Sequence, residues 1–114
     1  MSDDRTTIGL APDNREVMEE VIPYFNEQRD AAKFAMALAI EKGYEPDQAG
    51  NVETVWNVGS FDPDGEFRDL IKSIYPAVDQ PYTAIEFFIN QGFRIIHDHL
   101  QEKKDLDILE LTSE

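Results

Sequence analysis

A ten-residue segment at positions 31–40, AAKFAMALAI, constrains the fold of this chain more than any other feature. Lys33 is its only charged residue. A helix that is apolar on nearly all sides must be buried on most of them, and its many alanines permit the close approach of a second helix. We expect Asp30 to cap this helix at its N-terminus and Gly43 to end it.

Such a helix is buried either at the centre of the monomer or at the interface of a homodimer. Neighbouring helices offer limited cover in a chain of 114 residues, so we expect a homodimer. The residues expected to meet the second copy are Phe34, Ala35, Leu38 and Ala39. Burial within one chain requires the same composition, and it stays open as the alternative.

The residues before this helix predict a short strand followed by a short helix. Residues 5–10 alternate, so that Thr6, Ile8 and Leu10 share one side while Arg5, Thr7 and Gly9 share the other. Asp13 and Glu16 have the spacing of a capping box, and the apolar stripe behind them ends near Pro23.

Two more helices are predicted after a connector at residues 44–65, within which residues 52–58 alternate as a strand would. A helix begins after Asp62 or Asp64, and its expected inward stripe is Phe67, Leu70, Ile71, Ile74 and Tyr75. A long helix begins at Pro81, and its expected inward residues are Ile85, Phe88, Ile89, Phe93, Ile96 and Leu100. Gly92 within that helix predicts close packing.

These patterns together predict one mainly α-helical domain over residues 1–114, with about four helices and a short N-terminal strand. Its helical second part covers residues 66–104. The segment 105–114 is an acidic tail that also contains four leucine or isoleucine residues. We expect it to pack on the helices, and binding of a partner stays open as the alternative.

Acidic residues dominate the composition and limit the classes of partner. The chain has 24 acidic and 10 basic residues, a net charge of −14, and no cysteine. Neutralisation of phosphate supplies most non-specific nucleic-acid affinity, so the chain alone is not expected to bind DNA or RNA strongly. The absence of cysteine suits a reducing cytoplasm. Neither a signal peptide nor a membrane-spanning segment is predicted, so we expect a cytoplasmic protein.

The side chains that usually carry catalysis do not form a recognisable motif. His97 and His99 are two positions apart and point in different directions on a helix, so they are poorly placed to share a metal. The acids from Asp62 onward resemble the start of a calcium loop, but Phe67 and Ser73 occupy the positions that require Gly and Glu. We therefore expect turn and helix-cap roles for these acids, no cofactor, and no enzymatic activity.

About the first third of the chain, residues 5–43, resembles a ribbon-helix-helix module. The sequence that carries this resemblance begins at Thr6 and reads TTIGLAPDNREVMEEVIPYFNEQRDAAKFAMALAIEKGY. The resemblance implies a homodimer in which two strands pair and their outward side chains read the DNA major groove. In this sequence those side chains would be Arg5 and Thr7.

Over nearly its full length, the chain also resembles the small accessory proteins encoded beside bacterial DNA-phosphorothioation genes. The segments that carry this resemblance are AAKFAMALAIEKG, VWNVGSFDPDG and IEFFINQGFRIIHDHL. It implies a bacterial protein associated with DNA modification or defence, without an established catalytic role. We therefore predict a non-enzymatic accessory or regulatory protein that acts through protein contacts. The alternative is a homodimeric ribbon-helix-helix transcriptional regulator.

Overall fold

A computed structural model describes residues 4–103 as a mainly helical domain with one small sheet. The elements in chain order are β1 (Thr7–Leu10), α1 (Pro12–Val21), a 3-10 turn (Ile22–Tyr24), α2 (Gln28–Glu41), β2 (Glu53–Asn57), α3 (Val58–Phe61), α4 (Glu66–Ile74) and α5 (Pro81–Lys103). The predicted helical class and the N-terminal strand are confirmed. The tail at residues 105–114 lies outside the described residues.

The packing of α2 against α5 is the centre of the fold. Gly92 on α5 lies against the backbone of Ala35, so a Cβ at position 92 would overlap the Ala35 carbonyl group. The predicted close packing at Gly92 is therefore confirmed. Small residues on both helices let the two backbones approach closely.

Helix α2 is buried on most sides, as predicted, and one chain supplies the cover. Ala35, Leu38 and Ala39 are buried within the monomer. Phe34 is half-buried, and its ring centroid lies 5.5 Å from that of Phe25. Contrary to the expectation, α2 does not need a second copy for its burial, because α5 provides that cover. Whether the protein forms a homodimer stays a prediction.

The start of α2 differs from the expected one. The helix begins at Gln28 with Glu27 as its N-cap, and Asp30 lies within the first turn. An acid in the first turn still interacts favourably with the positive end of the helix dipole. Gly43 follows the helix at φ +89, a left-handed conformation that glycine adopts without strain, which agrees with the predicted end of the helix.

Strand β1 pairs with β2 of the same chain in an antiparallel sheet. The strand expected within the connector is thereby confirmed, whereas the four-residue helix α3 was not predicted. Ile8, Gly9 and Leu10 are all buried, so burial does not alternate at Gly9 as the predicted strand pattern does. Gly9 is enclosed because its backbone lies against Val52 and Glu53 on one side and receives side chains from α5 on the other.

Helix α4 buries only part of its predicted stripe. Phe67 and Ile71 lie in the core, but Leu70 and Ile74 are each 43% exposed. The prediction that both belong to the core was wrong, because the neighbouring α5 covers only one flank of this amphipathic helix. Leu70 and Ile74 are one helical turn apart and form an exposed apolar ridge, which we call the α4 ridge.

The N-terminus of α5 is capped by a residue distant in sequence. The Asp4 carboxylate accepts hydrogen bonds from the backbone N–H groups of Tyr82 and Thr83 at 2.8 and 3.0 Å. It thereby satisfies two of the N–H groups that the first turn of a helix leaves unpaired. Within residues 4–103, no helix has both the length and the apolar character needed to cross a membrane.

Candidate functional site

A row of polar side chains runs along one side of α5. Glu86, Asn90 and Arg94 are spaced by four residues, so they share one helix face, which points toward β1 and α1. The Glu86 carboxylate accepts a hydrogen bond from Gly9 N at 2.9 Å and forms an ion pair with Arg5 Nε at 3.0 Å. This contact joins the N-terminal strand to the central helix.

Asn90 continues the same attachment one turn further along α5. Its amide Nδ2 donates to the Gly9 carbonyl oxygen at 3.1 Å, and its Oδ1 accepts from Ala11 N at 2.9 Å. Asn14 Nδ2 donates to Asn90 Oδ1 and to the Asn90 carbonyl oxygen at 2.8 and 3.1 Å. Both amides are buried, so these bonds fix their orientations.

Two adjoining cavities open above this network, with volumes of about 360 and 460 Å³. They share Ala11, Asn14 and Arg94. The first is lined by five carboxamide side chains, and we call it the carboxamide cleft; these are Asn14, Gln48, Asn51, Asn90 and Gln91. The second cavity adds Asp13, His97 and Asp98.

The charges of the carboxamide cleft differ from those of the chain as a whole. Among the described residues that line it, Arg94 carries charge and none is a carboxylate. The chain nevertheless has 24 acidic residues against 10 basic ones. The cleft therefore offers hydrogen-bond donors and acceptors with a local positive charge, an arrangement suited to binding a small molecule.

Burial raises the pKa of the Glu86 carboxyl above its ordinary value, while the hydrogen bond from Gly9 and the Arg5 guanidinium oppose that shift. The charged form is thus costly to bury but partly compensated. The two partners of the carboxylate, Gly9 and Arg5, lie in β1 or just before it. Glu86 therefore attaches the strand to α5.

A second polar cluster holds the N-terminus of α4. The Asp62 carboxylate accepts from the backbone N–H groups of Phe67 and Arg68, both at 3.1 Å, and from the Tyr82 hydroxyl at 2.8 Å. Burial and this hydrogen bond raise the pKa of Tyr82 to about 12. The helix-cap role predicted for Asp62 is confirmed. The part of the chain that the structure describes contains no group of three or more residues placed to hold a metal ion.

Arg5 and Thr7, the residues expected to contact DNA, lie where β1 is attached to α5. Arg5 Nε contacts Glu86 and also donates to the Thr7 carbonyl oxygen at 3.2 Å. One edge of β1 pairs with β2, and the N–H and carbonyl groups of Gly9 are bound by Glu86 and Asn90. A second copy of β1 would find no free backbone group at Gly9 in this arrangement.

The two histidines have different environments. His97 is exposed and its Nδ1 lies 3.4 Å from Asp98 Oδ1, whereas His99 is buried. This agrees with the expectation that the two side chains point in different directions on the helix. Only His97 lines the second cavity.

Sequence reasoning did not single out Asn14, Glu86 or Asn90. A signal was present in the spacing of four between Glu86, Asn90 and Arg94, inside a helix that is otherwise rich in phenylalanine and isoleucine. A polar row in such a helix marks either a solvated face or a buried network. The partners of the row come from residues 5–14, almost eighty positions away, so sequence spacing alone does not choose between the two.

Comparison of the chain with protein-family models, with curated protein sequences and with solved structures found no match.

Proposed function

We propose that this protein is a non-enzymatic accessory or regulatory protein that acts through protein contacts, and that the α4 ridge is its contact surface. The observation that carries the proposal is the exposure of Leu70 and Ile74, at 43% each, on a helix whose other flank is fixed in the core. Large apolar side chains paired on a helix surface are typical anchors for a partner.

The ridge is held in place before any partner arrives. Phe67 and Ile71 anchor the inner flank of α4, and Asp62 caps its N-terminus. A surface that is already ordered loses little conformational entropy on binding. Complete burial of each exposed side chain would contribute about 1 kcal/mol, roughly half of the value for a fully exposed leucine or isoleucine.

The environment of the buried polar groups supports a binding role over catalysis. Glu86, Asn90 and Asp62 each hold backbone groups of another element. Groups used in this way orient structural elements and are poorly placed to exchange protons with a substrate.

The test is an affinity capture in cells that carry the DNA-phosphorothioation gene cluster, the context that the family resemblance implies. Wild type is compared with the double variant Leu70→Ser with Ile74→Ser, and with Lys72→Ser, an exposed change on the same helix. We expect a protein of that cluster to be retained by wild type and Lys72→Ser and lost by the double variant. Equal capture by all three, or capture of none, would contradict the proposal.

A homodimeric ribbon-helix-helix regulator is the second candidate, supported by the order of β1, α1 and α2. It requires β1 to exchange its contacts with Glu86 and Asn90 for a second strand. The discriminating experiment is retardation of DNA upstream of its own gene at moderate salt. Loss of retardation in Arg5→Ala but not in Arg15→Ala would favour this candidate, and absence of retardation would exclude it.

A further inference from the structure

We infer that the carboxamide cleft binds a small phosphorylated molecule with a planar donor and acceptor edge, of the class of a nucleoside monophosphate. This inference goes beyond the proposed function, because it concerns a different face of the molecule. It rests on the composition, charge, size and rigidity of the cleft.

The lining of the cleft is enriched in carboxamide side chains. The chain contains ten asparagine and glutamine residues, and five of them line this one cavity. A carboxamide presents a donor and an acceptor side by side, which is the complement of a nucleobase edge or another amide. Asn14 and Asn90 use their amide donors within the protein, so the groups open to a ligand come mainly from the other three carboxamides, Gln48, Asn51 and Gln91. These three favour a ligand that both donates and accepts hydrogen bonds.

The charge of the cleft favours an anion. Arg94 lies between the two cavities and lines both of them. A guanidinium binds phosphate or carboxylate through paired hydrogen bonds. Asp13 and Asp98 line the second cavity and not the first, so we place the phosphate against Arg94 on the side of the first cavity, whose lining has no carboxylate.

The size and the walls of the cleft fit this class of ligand. The two cavities measure about 360 and 460 Å³, within the range usual for sites that bind small molecules. Phe87 supplies an aromatic wall beside the carboxamides, and Val52 adds an aliphatic one. Aromatic side chains contribute to base binding without reading the sequence of a nucleic acid.

The cleft also includes a rigid wall. The hydrogen bonds between Asn14 and Asn90 fix two of the five carboxamides, and both residues are at least nine-tenths buried. A ligand that meets them does not have to order them first, which favours binding by a preformed site. By contrast, Gln48, Asn51 and Arg94 are exposed and can adjust to the ligand.

The inference is tested with AMP, GMP, CMP and UMP as probes, by thermal unfolding and by isothermal titration calorimetry. The matching nucleosides and inorganic phosphate are the comparison arms. We expect at least one monophosphate to raise the unfolding temperature and to bind about tenfold more tightly than its nucleoside or than phosphate. Binding of none of the four at millimolar concentration would overturn the inference.

Variants locate the site. Arg94→Gln should weaken binding of that monophosphate about tenfold or more, because the paired hydrogen bonds to phosphate are lost. Gln91→Ala should weaken binding of both the monophosphate and its nucleoside. Arg68→Gln, which removes an exposed guanidinium on α4 outside the cleft, should leave the affinity unchanged. Equal affinity in Arg94→Gln and wild type, with both folded by circular dichroism, would overturn the assignment.

Discussion

Gly92 shows how one missing side chain sets the distance between two helices. A Cβ at this position would overlap the backbone of Ala35, which cannot move aside as the end of a flexible side chain can. We expect Gly92→Ala to lower the free energy of unfolding by about 1–3 kcal/mol, despite the better helix propensity of alanine. Urea unfolding measures the change. Gly59→Ala is the matched control, because a Cβ there meets nothing within 4 Å, and it should be nearly neutral.

Glu86 is expected to make stability depend on pH. Burial raises the pKa of its carboxyl in the folded state, so the folded protein takes up this proton more readily than the unfolded chain. The stability that Glu86 contributes is therefore fully present below the unfolded pKa and is lost as pH rises through the folded value.

Glu86→Gln tests this dependence, because the amide can still accept from Gly9 but does not titrate. Between about pH 4 and pH 7, the stability of wild type relative to Glu86→Gln should fall. Urea unfolding at several pH values measures the difference, and parallel profiles for the two proteins would show that the shift is absent. Glu86→Ala should cost about 1–3 kcal/mol at neutral pH, because it leaves the buried Gly9 N–H group unpaired.

Tyr82 is expected to titrate later than an ordinary tyrosine. Its pKa is raised from 10.0 to about 12, so the stability it contributes is fully present below pH 10 and is lost as pH rises through about 12. An ultraviolet absorbance titration should contain a late phenolate step that disappears in Tyr82→Phe. Ionisation of all four tyrosines near the ordinary value, in protein that is still folded, would contradict this account.

At the scale of elements, the sequence predicted what depends on local pattern. The 3.6-residue spacing of apolar residues located α4 and α5, and Pro81 marked the start of α5 as expected. The burial of α2 was equally predictable, because Lys33 is the only charged residue within its segment 31–40. The sequence pattern placed the N-cap of α2 at Asp30, whereas the observed N-cap is Glu27. Glu27 makes no side-chain capping hydrogen bond, so it is not the type of residue by which a cap is recognised in a sequence.

Features that depend on distant contacts were not predictable in the same way. The apolar spacing of α4 predicts that its whole stripe is buried. The position of α5 determines that Phe67 is covered while Leu70 is exposed. The cap that Asp4 supplies to α5 joins residues nearly eighty positions apart. The carboxamide cleft likewise draws on α1, the segment before β2, and α5. In each case, the feature depends on how elements that are distant in sequence pack together, which local sequence patterns do not show.

At the scale of the whole molecule, the net charge of −14 should reduce stability at low ionic strength. Like charges repel one another more in the compact state than in the expanded chain, and salt screens that repulsion. Raising sodium chloride from about 0.02 to 0.5 M should therefore raise the urea midpoint of unfolding. An unchanged or lower midpoint would indicate that local ion pairs outweigh the overall repulsion.

The central claim is that the protein acts by binding a partner through the α4 ridge. The most direct test is the dissociation constant of the purified captured partner, measured by calorimetry for wild type, Lys72→Ser, and the Leu70→Ser with Ile74→Ser double variant. Removing two apolar anchors should weaken binding about tenfold or more, with Lys72→Ser within about twofold of wild type. A double variant that is folded and binds as tightly as wild type would contradict the claim.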